Sequence, residues 1–297
     1  MTFDREAARA FVATHGRLLD RRRLELALDG DAPVGVLGAL DGYRNTDGGY
    51  GWGLEPDLRS PESQPVAAMH ALEVLAEVAP ATTPRSVQLC DWLDARSRPD
   101  GGMPLAFAVT EPAGCAHLWV DADAKTSSLQ MTAQVAANAH LVARHDPAVR
   151  HHRWLTRASQ WCVAAIGMMR DAPPAHELMF AIRFVDALAG VEPDASTLFE
   201  QLWRFVPADG VVPVQGGAEG EVLRPLDLAP RWDGPARRRF PDGVIDRELD
   251  RLAGEQQPDG GWRVDFPSAS PAASLEWRAY VTVQAVRRLS GSGVGGI

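Results

Sequence analysis

Lysine is almost missing from this 297-residue chain: of its 30 basic residues, all but Lys125 are arginine. A GC-rich coding sequence produces that skew with no function attached. Thirty-nine acidic residues bring the net charge to −9. With no basic stripe to displace counterions from a phosphate backbone, nucleic acid is excluded as a partner. Cysteine is scarce too. Cys90, Cys115 and Cys162 are an odd number with no close pair, which fits a reducing compartment and no disulfide framework. The N-terminus, Met1-Thr2-Phe3-Asp4-Arg5-Glu6, is charged from its start and lacks the apolar core of a signal peptide. No run of about 18 apolar residues occurs, so no transmembrane segment is expected. A cytoplasmic location is the resulting expectation. A Gly-rich phosphate loop, a Gly-x-Ser-x-Gly elbow and a His-Glu-x-x-His helix are all absent. Strand-forming runs are rare as well, so the expected fold class is all-α.

What is present is a repeat. Asp47-Gly48-Gly49-Tyr50, Asp100-Gly101-Gly102-Met103, Asp209-Gly210-Val211-Val212 and Asp259-Gly260-Gly261-Trp262 each close a helix-like stretch. Their spacings are 53, 109 and 50 residues, so the middle gap holds two repeats, one of which has lost its Asp-Gly. A period of this length holds two helices and a turn, and closing the series on itself gives an (α/α) toroid of about six helical hairpins. Stretches with charges on one side and apolar residues at helical spacing on the other precede the turns: 34–40, 85–95, 196–205 and 245–255. Arg153 to Met169 is the matching element of the repeat without Asp-Gly. These form an expected outer layer. Stretches 63–78, 127–143, 176–189 and 275–289 are apolar or Ala-rich on more than one face and form an expected inner layer. Asp4 to Leu28 reads as one further long helix. Segment 221–240 breaks the pattern, because Pro225 and Pro230 prevent a single regular helix there. No Pro/Gly/Ser linker divides the chain, so one toroid domain over 1–290 is expected, with 291–297 a flexible Gly/Ser tail.

The last repeat carries a resemblance. Gln256, followed by Pro258-Asp259-Gly260-Gly261-Trp262, is similar to the Gln-Trp repeat of the squalene and oxidosqualene cyclases and their terpenoid-cyclase relatives. The other three copies match only through Asp-Gly. In this reading Gly accepts the left-handed turn, Asp tolerates it, and Gln and Trp tie the outer helix end to its neighbour. Runs such as Gly53-Leu54-Glu55-Pro56-Asp57 and Glu276-Trp277-Arg278 also resemble a group of bacterial single-domain prenyltransferase-like proteins. The resemblance implies an (α/α) toroid with a central cavity framed by inner helices. The same fold serves protein prenyltransferase β subunits and other activities, so it does not by itself name a reaction.

Candidate chemistry lies in the loops that enter the inner helices. Trp119-Val120-Asp121-Ala122-Asp123-Ala124-Lys125-Thr126 resembles a degraded Asp-x-Asp-Asp acid motif of class II terpene cyclases. Those enzymes protonate an alkene or epoxide and need a carboxyl held protonated by burial and a neighbouring carboxylate. The resemblance therefore makes Asp123 the expected general acid, assisted by Asp121. Two features oppose this: Ala124 replaces the last Asp, and Lys125 lowers a carboxyl pKa. As residues before a helix, the two aspartates would equally serve as caps. Glu55, Asp57 and Arg59, with Trp119, Asp227, Glu276, Trp277 and Arg278, are the expected substrate-binding residues at the polar end of the cavity. The expected substrate is a small hydrophobic or prenyl compound. No cofactor is expected, with Mg²⁺ entering only alongside a diphosphate substrate. Cys115-Ala116-His117 offers zinc-compatible residue types but no zinc-site spacing. Two alternatives stand beside cyclisation: a carbohydrate-active toroid using paired carboxylates as a glycoside hydrolase or lyase, and a non-catalytic binding scaffold derived from a cyclase. Tyr50, Trp52, Phe107, Trp119, Trp232, Trp262, Trp277 and Tyr280 would stabilise a carbocation or stack on a sugar, although most are expected in the core.

Overall fold

A computed structural model of the chain describes residues 2–30, 32–189 and 195–291. Residues 292–297, nearly all of the expected flexible tail, lie outside the described residues; Gly291 ends the last helix. Among the described residues there are fourteen α-helices. In chain order they are α1 Arg5–His15, α2 Leu18–Asp29, α3 Pro33–Leu40, α4 Pro65–Glu77, α5 Pro84–Arg96, α6 His117–Val120 and α7 Leu129–Ala143. There follow α8 Pro147–Arg150, α9 Arg153–Met168, α10 Ala175–Leu188, α11 Ala195–Trp203, α12 Pro225–Leu228, α13 Val244–Gly254 and α14 Pro271–Gly291. Val212–Pro213 and Val222–Leu223 pair antiparallel as β1 and β2. The all-α expectation is met. No helix among the described residues is long and apolar enough to cross a membrane.

Local chemistry sets the helix starts. Proline occupies the first turn of α3, α4, α5, α8 and α12, where its missing N–H costs nothing and its fixed φ suits a helix. Asp4, Thr83, Ser128 and Asp146 accept amides of the first turn of α1, α5, α7 and α8. The long opening helix expected over 4–28 is two helices. Gly16, with φ −80° and ψ 154°, stops α1, and its Cα approaches Ala279 so closely that a Cβ would sit 3.2 Å from that residue's methyl. In segment 221–240 the two prolines leave only β2, one helical turn (α12) and a 3-10 turn at Pro235–Arg239.

The chain forms two compact units, Met1–Asp41 with Ala208–Ile297, and Gly42–Pro207. In the second, α7 packs against α4, α9 and α10. Eleven of its fifteen residues are buried, including Thr132 and Gln134, so it is walled in on nearly every face. The α9 helix is one-sided instead. It buries Trp154, Leu155, Ala158, Ser159, Cys162 and Ile166 at helical spacing and turns its charges outward. In the first unit α14 packs against α1, α2 and α13. Phe3, Phe11, Val12, Leu252, Trp262, Val283 and Val286 form its core.

The four Asp-Gly turns share one geometry. Each Asp Oδ1 accepts the backbone N–H two residues on, Gly49 at 2.9 Å, Gly102 at 3.0 Å, Val211 at 3.0 Å and Gly261 at 3.1 Å. The glycine after each Asp has φ between +73° and +97°, a region closed to most side chains. Partners come from elsewhere in the same unit. The Trp92 indole, on α5, donates to Asp47 at 2.9 Å, Ser63 donates to it at 2.7 Å, and Ser127 donates to Asp100 at 2.8 Å. At the last turn, Gln256 accepts the Asp4 N–H at 2.7 Å and donates to the Asp4 and Gly260 carbonyls at 2.8 and 2.9 Å. Gln256 therefore joins the end of α13 to the start of α1, while the Trp262 indole bonds the Leu252 carbonyl of α13 itself at 2.7 Å. The turn after α9 has no Asp-Gly. Gln201 of α11 bonds the Ile166 and Met169 carbonyls there instead, and Arg204 bonds those of Met169 and Arg170.

Gly260 and Gly30 separate backbone strain from close approach. Both have positive φ, but a Cβ on Gly260 would lie 2.1 Å from the Ala7 carbonyl oxygen, whereas none of its neighbours comes within 4 Å of a Cβ on Gly30. Gly30→Ala should cost about 1–2 kcal/mol. Gly260→Ala should cost at least about 1 kcal/mol more, because α1 must move. Urea unfolding of both variants measures the difference; equal costs would show that the Ala7 approach is not a constraint.

Candidate functional site

Residues 44–64, before α4, and 103–128, before α7, are two loops of the second unit that lock together. Gln64 is buried and acts as a splint: its side-chain oxygen accepts the Phe107 N–H at 2.9 Å and its amide donates to the Phe107 carbonyl at 3.4 Å. The Asp57 carbonyl accepts the Ala116 N–H at 2.8 Å. The Ser60 and Thr110 hydroxyls both donate to Glu62, one from each loop. The result is a platform with a recess of about 490 Å³, walled by Asn45, Asp47, Trp52, Glu62, Arg96 and Phe107 among others.

Trp52 stands at the lip of this recess. Its φ is +57°, the one positive value among the described non-glycine residues, and its side chain is 57 % exposed. A large aromatic residue in the left-handed region is strained and persists only where its surroundings impose it. Here the Trp52 N–H donates to the Ser60 carbonyl at 3.0 Å and the indole N–H to Asn45 Oδ1 at 2.7 Å. Asn45 is in turn fixed by the Pro61 carbonyl at 2.9 Å and the Ser63 hydroxyl at 3.0 Å. The indole face is thus held open to solvent by a rigid bracket.

The expected acid pair occupies a different environment from the one an acid needs. Asp121 and Asp123 are exposed. Asp121 lies 3.6 Å from His117, one turn back. Asp123 accepts the Thr126 hydroxyl and the Lys125 N–H at 2.8 Å. Those hydrogen bonds, the hydroxyl first, and the charges of Lys125 and Arg98 hold its carboxyl below the ordinary aspartate value. A donor to an alkene must keep its proton near neutrality, so Asp123 is positioned as a turn-forming acceptor and lacks the environment of a general acid. Trp119 is buried on α6 and offers no stacking face.

Glu55, Asp57 and Arg59 share the first loop but do not converge on solvent. Glu55 and Asp57 are buried. Glu55 accepts the Asp57 N–H at 3.2 Å and contacts His70 of α4 at 2.9 Å. Arg59 lies over Gly53 and Gly114, 3.3 and 3.1 Å from where their Cβ atoms would be.

Asp227, Glu276, Trp277 and Arg278 belong to the first unit. Asp227 accepts the Arg224 N–H at 3.0 Å and lies 3.2 Å from Arg288. Trp277 is half-buried, packed edge to face on Phe266 and Tyr280 at 5.3 Å each. Arg278 pairs with Asp259 at 2.9 Å and covers the Phe11 ring at 4.5 Å. It is thereby part of the last Asp-Gly turn. Glu276 is half-buried beside them.

Sequence reasoning left several groups unassigned. Asp265, before α14, has its carboxyl pushed up by burial, with the charges of Asp227 and Glu221 adding to the effect. A single Asp in a Pro/Ser loop gives no spacing signal. His70 and Glu73 are equally unmarked, because a lone His inside an apolar helix resembles any core residue. His140, with Ser159 at 2.7 Å, is forced down to about 4 by burial and by Arg144, so it bridges α7 and α9 as a neutral ring. Burial likewise raises the Cys90 thiol to about 12, which makes it unreactive. Among the described residues no group of three or more His, Cys, Asp or Glu is placed to hold a metal ion.

Comparison with protein-family models gives no match, and comparison with curated proteins gives none either. Titration of the Asp123 carboxyl by ¹³C NMR should give a midpoint below about 3.9. A midpoint above about 5 would restore it as an acid.

Proposed function

We propose that this chain is an (α/α) toroid of the terpenoid-cyclase kind that works as a binding protein for a polyhydroxylated ligand of the carbohydrate class. The single observation that carries the ligand class is Trp52: an exposed indole, strained in its backbone and bracketed by Asn45, over a recess with polar walls. Strain of this type costs on the order of 1–3 kcal/mol and concentrates at ligand sites. An aromatic face beside a few fixed polar groups is the usual composition of a small-molecule site. The flat indole takes the C–H face of a pyranose. Glu62 and Arg96 supply a carboxylate and a guanidinium to the hydroxyls around it.

The toroid reading is supported by the Gln256 clamp, which ties residues 252 positions apart as the resemblance to the Gln-Trp repeat requires. It is supported again by the Trp92 indole reaching the preceding Asp-Gly turn from α5. Acid-initiated cyclisation of a prenyl chain is the less favoured reading, since Asp123 is exposed and its carboxyl is held low.

Calorimetric titration with a panel of neutral and acidic oligosaccharides and with prenyl diphosphates tests the assignment. A sugar should bind, and Trp52→Ala should weaken it about tenfold or more with thermal stability little changed, since alanine keeps the Cβ and with it the backbone strain. Prenyl diphosphates binding where every sugar fails, or unaltered sugar affinity in the variant, would sink it.

A further inference from the structure

The loop that presents Trp52 is closed on itself. Trp52 N–H reaches the Ser60 carbonyl at 3.0 Å, Leu54 N–H the Gly51 carbonyl at 3.1 Å, and Leu58 N–H the Glu55 carbonyl at 3.0 Å. Glu55 is the floor of this loop. One of its oxygens holds the Asp57 N–H and the other lies 2.9 Å from Nε2 of His70 on α4. One helical turn further on, Glu73 approaches His70 Nδ1 at 3.5 Å. The His70 and Glu55 side chains are only 5 % and 3 % exposed. A carboxylate so deeply buried needs a compensating charge, and the imidazolium between two carboxylates supplies it.

The charged surroundings of His70 come from few elements. The loop contributes Glu55 and the buried Asp57, and α4 itself contributes Glu73. Helix α7, packed along α4, contains no Asp, Glu, Lys or Arg, and its one titratable group is His140. Helix α5 brings Arg85 to Thr83, Asp91 to His152, Asp94 to Arg153 and Arg157, and Arg96 to Asp47. Burial alone would lower the His70 pKa; the hydrogen bonds and charges of Glu55 and Glu73 more than reverse this and hold it above 6.5.

We propose that His70 is a positioning residue for the Trp52 face, its imidazolium holding Glu55 and, through Glu55, the loop that presents the indole. Ligand affinity is then highest where His70 is charged and falls as pH rises. The sign follows from the raised pKa: the clamp is fully present below about pH 6.5 and is lost as pH climbs through the folded-state value. This rests on the carbohydrate-binding reading only for the ligand; the loop coupling exists without it.

The test is NMR on the whole chain with ¹⁵N-indole labelling, from pH 5.5 to 9, alongside ligand titrations. In the unliganded protein, solvent exchange of the Trp52 indole N–H, corrected for its intrinsic pH dependence, should rise across the titration of the His70 ring. In His70→Gln the corrected rate should not vary with pH. Glu73→Gln removes one carboxylate from a partly exposed site, so it should fold normally and move the transition to lower pH. The sugar Kd should rise over the same range in the wild type alone. A pH-dependent indole in a protein to which no sugar of the panel binds at any pH leaves this inference standing and overturns the ligand assignment. A ligand that binds while the indole ignores pH, or a Glu73→Gln protein with an unmoved transition, overturns the role of His70.

Discussion

In each Asp-Gly turn the aspartate accepts the amide two residues on, and that one bond fixes the reversal of the chain after a helix. The following glycine adopts a φ that most side chains refuse, and at Gly260 the approach of the Ala7 backbone also leaves no room for a Cβ. The carboxylate then recruits a second element as well: Trp92 at the remaining oxygen of Asp47, and Arg278 at the same Oδ1 of Asp259 in the first unit. Helix ends are where backbone groups go unpaired, so a turn that satisfies them while docking a neighbour sets both the length of each helix and the position of the next. The repeat without Asp-Gly needs Gln201 and Arg204 of the following segment to do the same for the end of α9.

The loops at the other helix ends inherit their rigidity from this scaffold. Asp47, Ser63 and Asn45 tie the first Asp-Gly turn to the entrance of α4, and the same residues brace Trp52. A turn used for architecture is therefore also one wall of the recess. Buried charge follows a similar economy in both units. Glu55 lies 2.9 Å from His70 in one, and in the other Asp20, fully buried, takes Arg17 at 2.8 Å with Arg23 at 3.9 Å. Such groups are costly to leave unpaired, which makes them strong positional constraints.

Much of the helical framework was legible in the chain. Most helices lie within a few residues of the amphipathic or small-residue stretches, because helical periodicity and N-terminal proline are local signals. Gln256 was legible for the same reason. The exception in the framework is Gly16, whose break depends on the approach of Ala279 from the far end of the chain. The site was much less legible. Asp121 and Asp123 stood out by spacing, yet solvent and the Thr126 hydroxyl decide their chemistry. Trp52 was one of eight aromatics of equal standing, and nothing local distinguishes an indole held at positive φ from one in the core.

The sequence by itself determined the helix content, the turn positions and the clamp at Gln256, all of which depend on residues close in the chain or on a motif of fixed spacing. Only the tertiary structure decided which charged groups are buried, which are paired, and which aromatic faces solvent. Those properties depend on distances between residues far apart in the chain: Asn45 to Trp52, Glu55 to His70, Gln64 to Phe107. Protonation and exposure are set by surroundings, and a linear pattern does not contain the surroundings.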